Sequence, residues 1–470
     1  MPITASLGSL AYSRAVLSED YEYWYFQSTN SVPLYDIDID SNDNLYALSN
    51  AAPQSVVNYT FKQYDDYPYT ILNGQGRTHR VTLGNASTFT STAIVPTRLE
   101  YNEFNDKLVL LNNESSKEYS IFPYNNTRIG ALTIAGTSDS VGKFVSAGGT
   151  LLTAVTYTDI SCDSSTGATY LAGYTDISDG SDSYFFVKKN TNLTAIDLEL
   201  TAANANSPQS MFAASFNSTS SYLTRSGGVI VNTGGLYSCN TQDVDASTRR
   251  NFVTKLNPSP TLFGGLYYMP AIWQRQLTST LTLEVAKISG VNEATVTLND
   301  TGATKYGYVV QYDSSGVLQW QRRITNVQLK DNVTDSTGNV YIVGVNTSNH
   351  LFIAKYNSSG VLQWQNVLTG QTFVAQSIKT KDGDIYVCGN VGSNGFIVKL
   401  PGDGSVPGTG TYTLGITTLS YVAGSQTEIA ATLTDSVGTT LPPVTVTDRY
   451  RDLSTSSTSN PIVRDTISLS

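Results

Sequence analysis

Charge is scarce in this chain of 470 residues: Asp, Glu, Lys and Arg together make up 14%, against about 25% in an ordinary soluble domain. The formal net charge is -10, whereas a surface that holds phosphates needs clustered Lys and Arg. Nucleic acid is therefore not an expected partner. Histidine is scarcer still. With only His79 and His350, neither a histidine-based triad nor a multi-histidine metal site can be assembled. Cysteine is limited to Cys162, Cys239 and Cys388. That odd, widely spaced set yields no disulfide framework and no zinc pattern, and it fits synthesis in a reducing cytoplasm. No run reaches the ~18 apolar residues of a membrane helix, and the opening MPITASLGSLAYSR lacks the basic segment and apolar core of a secretory signal. The expectation is a soluble chain, in which sequons such as those at Asn58, Asn85 and Asn217 arise from an abundance of Asn, Ser and Thr.

Catalytic signatures are missing as well. There is no GxSxG elbow, HExxH helix or phosphate-cradling Gly loop, so no catalytic, cofactor-binding or metal residues are assigned and the chain is read as a non-enzyme. The nearest approach to a site is YDIDIDSNDN, where Asp36, Asp38 and Asp40 alternate and share one face of a strand. A calcium loop wants Gly where Ser41 stands and Glu where Ala47 stands. Asp36 and Asp40 also recur as Asp331 and Asp335, which favours strand-entry and turn roles and leaves cation binding open. The DSTGN and DSSTG bends lack the Ser-x-Asp-x-Gly-x-x-Trp order of sialidases.

What is present is strand-and-turn composition, with 37 Gly and 30 Tyr, and above all a repeat. GYVVQYDSSGVLQWQRR (307–323) returns as HLFIAKYNSSGVLQWQN (350–366), and its first half returns as NGFIVKLPGDG (394–404). The period is about 44 residues. Each copy reads as a hairpin whose turn ends in a left-handed Gly, at Gly316 and Gly360. A second hairpin precedes it: VTDSTGNVYIVG (333–344) matches IKTKDGDIYVCG (378–389), DISCDSSTGATYLAG (159–173) and DIDSNDNLYAL (38–48). Two hairpins per period make a four-stranded blade.

Unit starts near 35, 97, 156, 226, 280, 328 and 374 predict an all-β propeller of about seven four-stranded blades. Trp273, Trp320 and Trp364 share one repeat position, where an indole would wedge between adjacent blades. The last unit lacks a fourth strand. LAYSRAVL at the N-terminus aligns Leu10, Tyr12, Arg14 and Val16 with Leu318, Trp320, Arg322 and Ile324, so residues 8–17 are expected to supply it and close the ring. The propeller is thus placed at 1–404, and 405–470 is a Thr/Ser-rich β extension beyond a Gly/Pro-rich hinge, GDGSVPGTG.

The segments YNSSGVLQWQ, DSTGNVYIVG, LGSLAYSR, EYWYFQS and DIDIDSNDNLYAL resemble virion structural proteins of marine tailed phages, notably cyanophages. The resemblance is clearest over the first 50 residues and from 305 to 404; the tail keeps one copy, AATLTDSVG, of a repeat that is tandem in that family. It implies a virion protein made in the bacterial host cytoplasm and displayed on the particle, either tail-associated in host adhesion or decorating the capsid. It further implies a symmetric homo-oligomer there, with a host glycan or receptor as an outside partner. The extension would contact other virion proteins by adding strands to their sheets. A glycan-binding or glycan-cleaving propeller is the alternative class.

Overall fold

Blades of this kind depend on turns that reverse the chain in four residues, and the repeated turns do so by one device. In the computed structural model, Gly316 N donates to Asp313 O at 3.0 Å, while the Asp313 carboxylate accepts from Ser315 N at 2.8 Å and Val317 N at 3.0 Å. Asn357 serves Ser359, Gly360 and Val361 in the same way. A short polar side chain that imitates a backbone acceptor, followed by Gly at positive φ, makes the reversal local.

The structure describes side chains at 23–27, 33–41, 45–48, 98–104, 109, 158–174, 227–243, 249–259 and 269–437, and the backbone of further strands named below. Asn85 and residues 8, 9 and 17 lie outside the described residues, as does the side chain of His79. The fold is all-β, with no helix among the described residues.

The strands pair into sheets, antiparallel except at the bridge between Met211 and Tyr268, numbered here by chain order. Sheet I opens with Leu34–Ile39, sheet II with Val95–Asn102, sheet III with Ala154–Cys162 and sheet IV with Thr224–Asn232. Sheet V opens with Leu283–Ser289, sheet VI with Val327–Thr334 and sheet VII with Phe373–Lys381. Sheets IV to VII stand in a propeller-like arrangement of four blades. Their second and third strands, such as Val340–Asn346 and Leu351–Tyr356, are almost wholly buried. Such strands have neighbours on both faces, which is why they are apolar throughout rather than alternating.

Each opening strand carries a β-bulge at one equivalent place, just before Asp36, Arg98, Asp159, Gly228, Lys287, Asp331 and Ser377. A bulge bends and twists the strand and re-aims the side chain that follows. The opening strands touch in succession from sheet I to sheet VII, and that of sheet VII touches that of sheet I.

The N-terminus meets sheet VII one strand away from the expected position. Trp24–Ser28 pairs with Asn394–Pro401, and Leu10–Val16 pairs with Trp24–Ser28 from outside. The reason is burial: Trp24, Tyr25 and Phe26 are 2%, 0% and 6% exposed, a continuous apolar run suited to an inner position. The alternation of LAYSRAV suits a strand nearer the edge.

The tail also departs from the expected extension. Thr417–Ala423 pairs with Leu362–Thr369 of sheet VI and folds back on Thr411–Leu414. Glu428–Ala430 then adds to Leu318–Thr325 of sheet V, and Thr434–Val437 to Ala271–Thr278 of sheet IV. Val446–Asp452 adds to Ser140–Ser146 of sheet II, and Val463–Ser468 to Arg77–Thr82 of sheet I. Sheet III is covered by Leu266–Tyr268 instead. The tail thus runs back along the sheets as a belt and occupies their outer edges, because an unpaired edge leaves backbone donors and acceptors open to other chains. Tyr412, Leu414, Leu419 and Tyr421 sink into the same core as sheets VI and VII, so 405 is not where the core ends.

Candidate functional site

The bulges bring charged side chains of the opening strands together around a cavity of about 110 Å3. Residues from sheets I to VII line it, among them Asp36, Arg98, Asp159, Lys287, Asp331 and Lys379. The acidic members act as staples between neighbouring strands. Asp36 accepts from Leu99 N, Asp159 from Val229 N and Asp331 from Ile378 N, each at 3.0 Å. One carboxylate oxygen per staple thereby satisfies a buried backbone donor of the next sheet.

The second oxygen of Asp159 is held by Lys287, and Arg98 Nε stands 3.6 Å away. Lys287 lies two sheets along from Asp159. It reaches across because Gly228 intervenes with no side chain: a Cβ there would lie 2.6 Å from Asp159 Oδ2. On the sheet I side, Lys379 Nζ bridges Asp38 at 3.2 Å and Glu100 at 3.6 Å. Burial opposes the Lys379 charge, but Asp38 and then Glu100 outweigh it and hold the ammonium well above its ordinary pKa. Burial foremost, opposed by Lys379 and reinforced by Asp38, pushes the Glu100 carboxyl up to about 8. Lys287 and Lys379 thus pair with buried carboxylates across sheet boundaries, a polar bolt between the opening strands.

Asp36 and Asp38 both turn towards sheet II, Asp40 lies just past the strand Leu34–Ile39, and each has separate work. Asp38 accepts from Ile39 N and Tyr101 N and pairs with Lys379, while Asp40 accepts from the Tyr46 hydroxyl at 3.1 Å. No group of three or more metal-ligating side chains occurs among the described residues. Cys162, Cys239 and Cys388 are free, and burial, the largest cause in each, raises all three thiols away from the reactive thiolate. His350 lies in a turn, its backbone N donating to Asn346 Oδ1.

A second constellation is not foreshadowed by any motif. After each shared Trp comes Gln and then Arg or Asn, and all of these but Gln274 grip the belt. Arg275 holds Asp435 through two nitrogens, with the Tyr312 hydroxyl at 3.0 Å from the same carboxylate. Arg322 pairs with Glu428 at 3.1 Å, and Asn366 Nδ2 donates to the Tyr421 hydroxyl at 3.0 Å. Gln321 holds both the N and the O of Leu433. The signal for it was nonetheless present: an Arg recurs at 275 and 322 on outer strands, and Glu428 and Asp435 are the first two carboxylates of a charge-poor tail.

The shared tryptophans lie between sheets. Trp273 Nε1 donates to Ser314 O and Trp320 Nε1 to Ser358 O, each at 3.1 Å and each in the next sheet's turn. No protein-family model and no curated protein matches the chain.

Proposed function

We propose that this chain is a seven-bladed β-propeller, closed where sheet VII receives the N-terminal strands, that acts by binding and assembly on the surface of a tailed-phage particle. The observation that carries the reading is the belt. With the outer edges of the sheets covered by the chain's own strands, the body has little open β edge to pair with foreign chains, a property suited to a permanently exposed component. The contact of the opening strands of sheets VII and I supports a closed ring. The mutual pairing of charges in the axial cavity supports a role without catalysis. The virion placement itself rests on the resemblance of the repeats and of the N-terminal segments.

Contacts with neighbouring particle proteins then fall on the outside of the belt, where Ile416, Val422 and Val437 are exposed, rather than on a free strand end. The turns bearing the exposed Val317 and Val361, at one repeat position on successive sheets, face the surroundings. A cryo-EM map of the particle tests the proposal. Ring-shaped density with seven spokes, at tail or capsid positions, is the expected result; absence of the chain from purified particles, or a different number of spokes, overturns the corresponding part.

A further inference from the structure

Most arginines whose side chains are described are occupied. Arg98, Arg249, Arg275 and Arg322 each face a carboxylate within 4 Å. Arg323, next along the strand from Arg322, has no carboxylate partner among the described residues, and its Nε is shielded from solvent with no acceptor. Its guanidinium is held in place by the Tyr306 ring, 4.8 Å from the centroid, and sits beside the hydroxyl of Tyr308, its cross-strand neighbour. A fixed guanidinium without a carboxylate is a preorganised receptor for one, which it can meet with two parallel hydrogen bonds.

Beside Arg323 opens a cavity of about 430 Å3, within the ~300 to 1,000 Å3 of small-molecule sites. Ser279 and Thr280 wall it from the loop between sheets IV and V, Tyr308 from sheet V, and Thr432 and Thr434 from the belt. Hydroxyl groups that both donate and accept suit a polyol, and the side chain of Leu281 adds an apolar patch for a ring face. The belt wall is itself fixed, since Gln321 holds Leu433 between the two threonines.

We propose that this cavity binds an acidic sugar, with Arg323 on its carboxylate and the Ser and Thr hydroxyls on its ring hydroxyls. A phosphorylated ligand would call for more than one cation, and the cavity lining contains a single one. The site does not depend on the virion reading, because it is tested on the isolated full-length chain.

The test is calorimetric titration with D-glucuronic acid and D-glucose. Glucuronic acid is expected to bind at least tenfold more tightly than glucose. Arg323→Gln, with its melting temperature checked against wild type, is expected to remove that preference, and Thr432→Trp, which fills the cavity from the exposed belt side, to remove binding of both. Equal affinity for the two sugars, no binding of glucuronic acid, or a preference that survives in either folded variant overturns the proposal.

Discussion

Gly360 lies flat against the indole of Trp320 in the preceding sheet, so closely that a Cβ on it would come within 2.4 Å of the ring. Trp320 is 7% exposed and stacks on Tyr356 at 5.9 Å between ring centroids. Gly316 stands in the same relation to Trp273, and Gly404 to Trp364. The turn glycine thus has two tasks, a positive φ of 72° and room for the neighbour's ring.

The two tasks can be separated. Gly383 has a φ of 88°, and a Cβ on it would meet nothing within 4 Å, so Gly383→Ala should cost only the left-handed penalty, about 1 kcal/mol. Gly360→Ala should cost about 3 kcal/mol, because overpacking against Trp320 is added. Trp320→Ala should cost about 3 to 5 kcal/mol, and half-buried Trp364→Ala less. Denaturant midpoints of the four variants check the order; equal midpoints for the two glycine variants would show that the ring contact has no weight.

Truncation at the N-terminus should depend on where it stops. Deleting 1–17 removes Leu10–Val16 but leaves Trp24–Ser28 paired with Asn394–Pro401, so the product should stay folded with a lower melting temperature. Deleting 1–28 also removes the buried Trp24, Tyr25 and Phe26 and should abolish cooperative unfolding. Thermal scans of the two proteins discriminate; equal behaviour would mean that the inner strand contributes no more than the outer one.

The tail, placed by the sequence beyond the propeller, should be needed for folding. A chain ending at 404 loses the buried Tyr412, Leu414, Leu419 and Tyr421 and uncovers strand edges, so aggregation during purification is the expected outcome. A soluble, monomeric 1–404 with unchanged melting would refute the belt. Within the intact chain, a double-mutant cycle on Arg275 and Asp435 should give a coupling of about 1 kcal/mol, the upper part of the range for a partly exposed pair with two-point geometry.

Removing the side chain of Asp159 should be among the most damaging single changes near the axis. Asp159→Ala strands Lys287 and leaves Val229 N without its acceptor, at a cost of about 3 kcal/mol or more. Gly228→Ala should approach the same loss, since the added methyl would occupy the space the carboxylate uses. Chemical denaturation of both variants provides the check, with wild-type stability in Gly228→Ala as the contrary result.

Stability should also decline as pH rises from about 4.5 towards 8. The folded-state pKa of Glu100 is raised from 4.5 to about 8. The native chain therefore holds a proton that the unfolded chain releases in that window, and the stabilisation present below it is lost on the way up. Glu100→Gln, which cannot ionise, should flatten this part of the profile. Parallel slopes for wild type and variant between pH 5 and pH 8 would rule the group out.

By itself the sequence determined the local units. Period-two alternation, the Asp or Asn turn starts and the glycines at 316 and 360 specify hairpins, because each depends on contacts a few residues apart. The repeat position of Trp320 and Trp364 was legible for the same reason. Asp36 and Asp331 were visible as a recurring position, but Asp159, Lys287 and Gly228 were not visible as one cluster. Their meeting depends on bulges that aim separate strands at one axis, which no alternation pattern records. The path of the two termini was decided only in the tertiary structure. Strand addition to an edge runs through backbone groups that every residue carries, so LAYSRAV and the Thr-rich tail could pair with many partners. Burial of Trp24 to Phe26 in sheet VII, and the grip of Arg275 and Arg322 on Asp435 and Glu428, selected the edges they occupy.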